Sequence, residues 1–160
     1  MTRTQQLSLV ILRLAIGWHF LYEGLAKLAN PNWTSAGYLL DSAGFMKNFY
    51  FSMASNPEVL KVVDFLNIWG LILIGLGLLL GAFTRVAIIS AIVLLCFYYL
   101  SHPPFIGLKY AVPSDGSYLL VNKMVLQAIS LWIVLVFPTW KVWGLDRWLM
   151  AGKRGSREAG

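Results

Sequence analysis

Four long apolar runs, separated by short polar or proline-containing breaks, make up most of the chain, the pattern of helices that cross a bilayer. The first run, residues 7–28, is long enough at about 1.5 Å per residue to cross a hydrocarbon core of roughly 30 Å. Arg13, His19, Glu23 and Lys27 interrupt it, and no short apolar core with a small-residue cleavage site can be read there. It is therefore expected to be a span and not a removable signal peptide. Asn30-Pro31 ends it, because the residue before a proline leaves the helical region. Asn56-Pro57-Glu58 combines a capping side chain, a proline at the first helical position and an acid in the first turn, and predicts a second span over 57–83. A third is predicted over 86–101, closed by His102-Pro103-Pro104, and a fourth over 118–137, ended by Pro138.

Residues 33–55 lack an apolar run long enough to span but carry Trp33, Tyr38, Phe45, Phe49, Tyr50 and Phe51. Aromatic rings prefer the membrane–water boundary, so one or two short interfacial helices are expected here. Residues 139–160 read as an amphipathic basic tail, in which Trp140, Trp143 and Trp148 act as interface anchors, as Trp33 does. The expected fold is all-α: one integral membrane domain, a four-helix bundle running up-down-up-down, with interfacial helices in its first loop and tail.

Composition agrees with the pattern, since 58% of residues are apolar, 12% are charged and the mean hydropathy is +0.67. The net charge of +6 does not read as nucleic-acid binding, because no basic stripe interleaves with the aromatics. Of the 13 Lys and Arg, seven (Arg3, Arg85, Lys141, Arg147, Lys153, Arg154, Arg157) fall on the side of the termini and the 2–3 turn, against three (Lys47, Lys61, Lys109) in the long loops. The bias of positive charge toward the cytoplasm then places both termini inside and both long loops outside an inner (plasma) membrane. The single cysteine, Cys96, excludes an intrachain disulfide and a CxxC pair, and its mid-span position predicts a buried, inert thiol.

The polar residues within the spans gather at one level. Glu23 and Lys27 are late in the first span, Asp64 and Asn67 early in the second, Tyr98 and His102 late in the third, and Asn122, Lys123 and Gln127 early in the fourth. Their i, i+3 and i, i+4 spacings put each set on one helix face, as His19, Glu23 and Lys27 illustrate. A charge at the centre of a spanning helix costs on the order of 2.5–3.5 kcal/mol on insertion scales, so these groups are expected to turn inward and pair. Glu23 with Lys27 or Lys123, and Asp64 with Lys123 or His102, are the expected pairs. Arg13, nearer the other end, is expected to snorkel or bind a carbonyl. Gly70, Gly77 and Gly81 fall on one side of the second span and predict close helix packing. No metal site is expected, and two histidines at different depths make a bis-histidine haem unexpected.

The stretch from Arg13 through Gly17-Trp18-His19-Phe20 and Tyr22-Glu23-Gly24 to Lys27 resembles the opening of DoxX-family membrane proteins. Trp33-Thr-Ser-Ala-Gly37-Tyr38, Asp64-Phe-Leu-Asn67-Ile-Trp69-Gly70, His102-Pro103-Pro104, Asn122-Lys123 and Trp143-Gly144-Leu-Asp146-Arg147 carry the same resemblance. It is nearest to the branch similar to the DoxD-type membrane subunit of thiosulfate:quinone oxidoreductase, and implies four membrane helices, quinone contact and a redox role on sulfur compounds.

A quinone needs an apolar slot, donors at its carbonyls and a protonatable group in touch with water. On that reading Glu23, His19 and His102 are the catalytic candidates, exchanging protons; imidazole ordinarily titrates near pH 6.5. Asn67, Asn122 and Gln127 would hydrogen-bond, Trp69 and Tyr98 would flank the ring, and Asp64 would belong to the same binding set. Lys27 and Lys123 would stabilise negative charge on the ring or attract an anionic donor such as thiosulfate. The expected partners are the lipid bilayer, a quinone, and a second subunit or further copies of the chain. A non-catalytic accessory subunit, in which the polar cluster only locks helices together, is the competing reading; without broken helices or an inverted repeat, a conventional transporter is disfavoured.

Overall fold

Thr2 begins the first helix with a reciprocal cap. Its hydroxyl accepts from the Gln5 backbone N–H at 3.2 Å, and the Gln5 side chain accepts from the Thr2 N–H at 2.9 Å. Helix α1 (Arg3–Ala29) therefore starts four residues before the apolar run does. The computed structural model describes residues 1–105, 107–108, 110–111, 119–141 and 143–146. Among these, two short helices follow, α2 (Ala36–Leu40) and α3 (Lys47–Ser55), and then α4 (Pro57–Leu80), α5 (Thr84–Ser101), α6 (Lys123–Val136) and a 3-10 turn over Thr139–Lys141. No described residue is in a strand.

Helices α1, α4 and α5 are long and apolar enough to cross a membrane. Asn56 caps α4 as expected, accepting from the Glu58 and Val59 N–H groups. Gly81 ends α4 in the left-handed conformation at φ 66°, so α5 starts at Thr84, two residues before the predicted span.

The fourth apolar run behaves differently. It was expected to be helical over 118–137, but α6 has 14 residues, about 21 Å, and begins only at Lys123. Leu119 takes a left-handed φ of 63°, the Leu120 carbonyl accepts from the Tyr99 hydroxyl at 3.0 Å, and Asn122 caps the first turn. An apolar run marks burial or lipid contact but not backbone conformation, so the cap and not the hydropathy sets the start of this helix. Tyr118, Lys109, Arg147, Trp148, Lys153, Arg154 and Arg157 lie outside the described residues.

Helices α1 and α4 run antiparallel along a glycine seam. A Cβ on Gly17 would come 2.9 Å from Leu78, one on Gly24 2.9 Å from the Ile72 backbone nitrogen, and one on Gly75 2.5 Å from that of Leu21. The close packing anticipated at Gly70 is absent, since a Cβ there would meet nothing within 4 Å. Gly77 does approach a neighbour, Ala87 of α5. Against this seam α5 and α6 pack Ile88, Ala91, Leu95, Leu131 and Val134 onto Phe20, Leu71, Ile74 and Leu78. Large apolar side chains such as Leu7, Ile11, Leu73, Val86 and Trp132 turn outward, the arrangement of a chain solvated by lipid. Cys96 is among the outward residues rather than buried, because α5 turns Ala87, Ile88, Ala91 and Leu95 to the core and residue 96 falls about 100° beyond the last of them.

Candidate functional site

The C-terminal half of α1, the start of α4, the end of α5 and the start of α6 meet at one end of the molecule, where a cavity of about 680 Å³ opens among them. Phe20, Ala26, Leu95 and Met124 give it an apolar wall, and Trp33, Thr34, Ser35, Gly37 and Tyr38, before and within α2, border it on another side. His19, Glu23, Lys27, Asn67, Tyr98, Lys123 and Gln127 all line it. Four helices thus bring to one cavity seven of the eleven side chains singled out in the sequence.

Lys27 is the hub of the polar set. Its ammonium lies 2.9 Å from Glu23 Oε1 and donates to Asn67 Oδ1 at 2.9 Å and to the Tyr98 hydroxyl at 3.4 Å, while Asn67 Nδ2 donates to the same hydroxyl at 2.7 Å. Glu23 thus pairs with the residue four positions along its own helix, one of the two partners expected for it. The Lys27 ammonium also sits 5.0 Å from the centroid of the Trp33 ring, within cation–π range. His19 Nε2 is 3.9 Å from Glu23 Oε2, and the His19 side chain is 60% exposed, so the carboxylate connects the partly buried lysine to the cavity mouth.

The other four residues have work outside the cavity lining. Asp64 pairs with neither Lys123 nor His102 but accepts from the Thr34 hydroxyl at 2.8 Å, the Ser35 N–H at 2.8 Å and the Ser35 hydroxyl. It fixes the segment that borders the cavity, one layer behind it. Asn122 accepts from the Met124 and Val125 N–H groups and so caps α6. Trp69 is 42% exposed and packs on Phe65, because two residues past Asn67 is about 200° around the helix.

His102 caps α5 and sits between rings, stacked on Tyr38 with centroids 3.9 Å apart and 4.6 Å from Tyr110. Its Nδ1 contacts the Ser101 hydroxyl at 3.0 Å and its Nε2 faces Asp41 at 3.6 Å. Burial holds its pKa below the ordinary imidazole value, while Asp41 opposes that shift. Burial likewise raises Tyr38 and Tyr110, so both stay protonated phenols. Tyr38, which divides His102 from the cavity, and Asp41, which accepts from the Ala111 N–H, are the site-region residues that the helical patterning missed. Tyr38 was marked only by its place in the aromatic segment after the first span and in the family resemblance, and Asp41 by its place in that segment alone.

At the opposite end a second polar arrangement serves the fold. Arg13, 3% exposed, donates to the Trp143 carbonyl at 2.8 Å, the carbonyl contact foreseen as one of its two options. The Asp146 carboxylate accepts from the Phe83 and Thr84 N–H groups at 2.8 and 3.0 Å, capping α5 from the tail. Among the described residues no group of three or more His, Cys, Asp or Glu is placed to hold a metal ion.

Long apolar helices, outward apolar side chains and a polar cavity at one end define a helical membrane protein. The DoxX family model matches residues 8–103, more than half of the chain, and the protein belongs to the DoxX family. Neither the curated proteins nor the solved structures contain a match to it.

Proposed function

We propose that the chain is a membrane redox subunit whose cavity binds a quinone or quinol near the outer leaflet, coupled to oxidation of a sulfur compound such as thiosulfate. In this reading α1, α4, α5 and α6 form a four-crossing bundle with both termini cytoplasmic, as the distribution of Lys and Arg suggests, and the cavity faces outward. The observation that carries the proposal is the cavity itself: an apolar wall with Glu23, Lys27, Asn67, Tyr98, Lys123 and Gln127 around one space of about 680 Å³. Its donor set fits a ring with two carbonyl oxygens, because Tyr98, Lys123 and Gln127 all carry hydrogens that can be donated.

A bound quinone supplies the redox chemistry by taking up two electrons and two protons. The residues do the rest. Phe20, Leu95 and Met124 hold the ring out of water, Glu23 holds or releases a proton at its carboxylate, and His19 passes it to the cavity mouth. Lys123 draws an anionic donor toward the opening. Two thiosulfates joined through a new S–S bond release the two electrons required, directly or through a second subunit.

Native purification in mild detergent, with analysis of extracted quinones and of thiosulfate-driven quinone reduction in membranes, tests this function. Wild type should copurify with quinone and support reduction, and Glu23→Gln should lose reduction while remaining folded. Absence of quinone and of reduction in wild type would overturn the proposal. One observation favours the second reading, an accessory subunit: Lys27, Asn67 and Tyr98 bind α1, α4 and α5 to one another, as a helix lock would. Under that reading, substitution at the cluster alters assembly with a partner and nothing else.

A further inference from the structure

Lysine donates three hydrogens and accepts none, so Lys27 fixes the sense of the hydrogen bonds around it. Glu23 Oε1, Asn67 Oδ1 and the Tyr98 hydroxyl oxygen lie 2.9, 2.9 and 3.4 Å from its ammonium, one acceptor for each hydrogen. Since Asn67 presents its oxygen to Lys27, its amide nitrogen is what faces Tyr98, donating at 2.7 Å. The Tyr98 oxygen therefore accepts from two donors, and its own hydrogen must go to a third group. Among the described residues no hydrogen bond donated by the Tyr98 hydroxyl is found, while Tyr98 lines the cavity. That hydrogen, on a residue that lines the cavity, is open to an acceptor oxygen of a ligand.

We infer that Tyr98 is the directional donor of the cavity, giving its O–H to an acceptor oxygen of the ligand, and that Lys27 is a positioning residue that orients Tyr98 and Asn67 without contacting the ligand. The inference rests on the quinone reading and sharpens it, because the oxygen met by Tyr98 is then a ring carbonyl of the oxidised form, a group that only accepts. Lys27, whose side chain is 16% exposed, is shielded by its own partners from the role of anion contact that its charge suggests. A ligand group that only donates, such as an ammonium, would meet a donor at this position and be rejected.

The test uses the full chain in detergent with a decyl-substituted benzoquinone as probe, read by its dissociation constant and by the infrared C=O bands of the bound ring. In wild type one carbonyl band should fall below its position in the free probe. Tyr98→Phe should abolish that shift and weaken binding about tenfold, the scale of one hydrogen bond. Replacing Tyr98 by 3,5-difluorotyrosine keeps the ring and the oxygen but strengthens the donor, so below neutral pH the band should fall further; this arm does not depend on Tyr98→Phe folding normally. Lys27→Met should broaden and partly reverse the shift. If the probe binds and neither change at Tyr98 moves its carbonyl bands or its affinity, the inference is overturned and the quinone reading stands. If wild type does not bind the probe, both fall.

Discussion

Arg13 Nη2 donates to the Trp143 carbonyl at 2.8 Å across 130 positions of sequence, tying the first helix to the segment after the last. Asp146, three residues further on, completes the tie by capping α5 through the Phe83 and Thr84 N–H groups. Asp146→Ala should therefore lower stability by about 1–2 kcal/mol, the worth of a helix cap. Asp146→Asn, which keeps one acceptor oxygen, should cost less. Thermal melts in detergent would rank the three proteins, and equal melting of all of them would mean that the tail does not brace α5.

The glycine seam makes a sharp contrast between two positions on one helix. A Cβ at Gly75 would meet the Leu21 backbone at 2.5 Å, and backbone cannot swing aside as a side chain can, whereas Gly70 has open space. Gly75→Ala should cost about 1–3 kcal/mol through overpacking, and Gly70→Ala should be neutral or slightly stabilising. Melting of the two variants side by side tests this, and a Gly75→Ala protein as stable as wild type would contradict the close approach of α1 and α4.

Removing one member of the Glu23–Lys27 pair leaves the other charge without its partner at 2.9 Å. Lys27→Met alone should destabilise more than Lys27→Met combined with Glu23→Gln, because a partly buried lone charge costs more than a removed pair. A double-mutant cycle on melting free energies measures the coupling; strictly additive losses would show that the two side chains do not stabilise each other.

His102 supplies a pH dependence outside the spans. Its folded pKa lies below the unfolded value of about 6.5, so the unfolded chain binds the proton more readily. The stability it confers is present above about pH 6.5 and is lost as pH falls toward and through the folded pKa. His102→Gln should flatten that acid-side decline, in melts recorded between about pH 7.5 and 4.5; an unchanged slope would mean that other groups carry it.

Topology can be read with cysteines placed in described residues after Cys96→Ser. Asn48→Cys should react in intact cells with an impermeant thiol reagent and Thr4→Cys should not, given the excess of Lys and Arg on the side of the termini. The reverse labelling would invert the cavity to the cytoplasmic face.

What the chain determines locally was legible from its order of residues. Proline, capping asparagine and apolar length act within a few residues, so α1, α4 and α5 and the opening of α4 at Asn56 were readable. Position within the apolar runs likewise put Glu23, Lys27, Asn67, Tyr98, Lys123 and Gln127 at one level, and these do share one cavity. Spacing gives the angle of a side chain about its own helix but not the rotation of that helix against its neighbours. Only packing decided that Trp69 and Cys96 face outward, and that the close approach to α1 falls at Gly75 and not at Gly70. Partners distant in sequence were equally illegible: Asp64 turned to Ser35, His102 to Tyr38 and Asp41, and Asp146 to Thr84. A carboxylate in a poorly solvated place takes the nearest donors that the folded backbone presents, and which donors those are is a property of the assembled helices and not of any one of them.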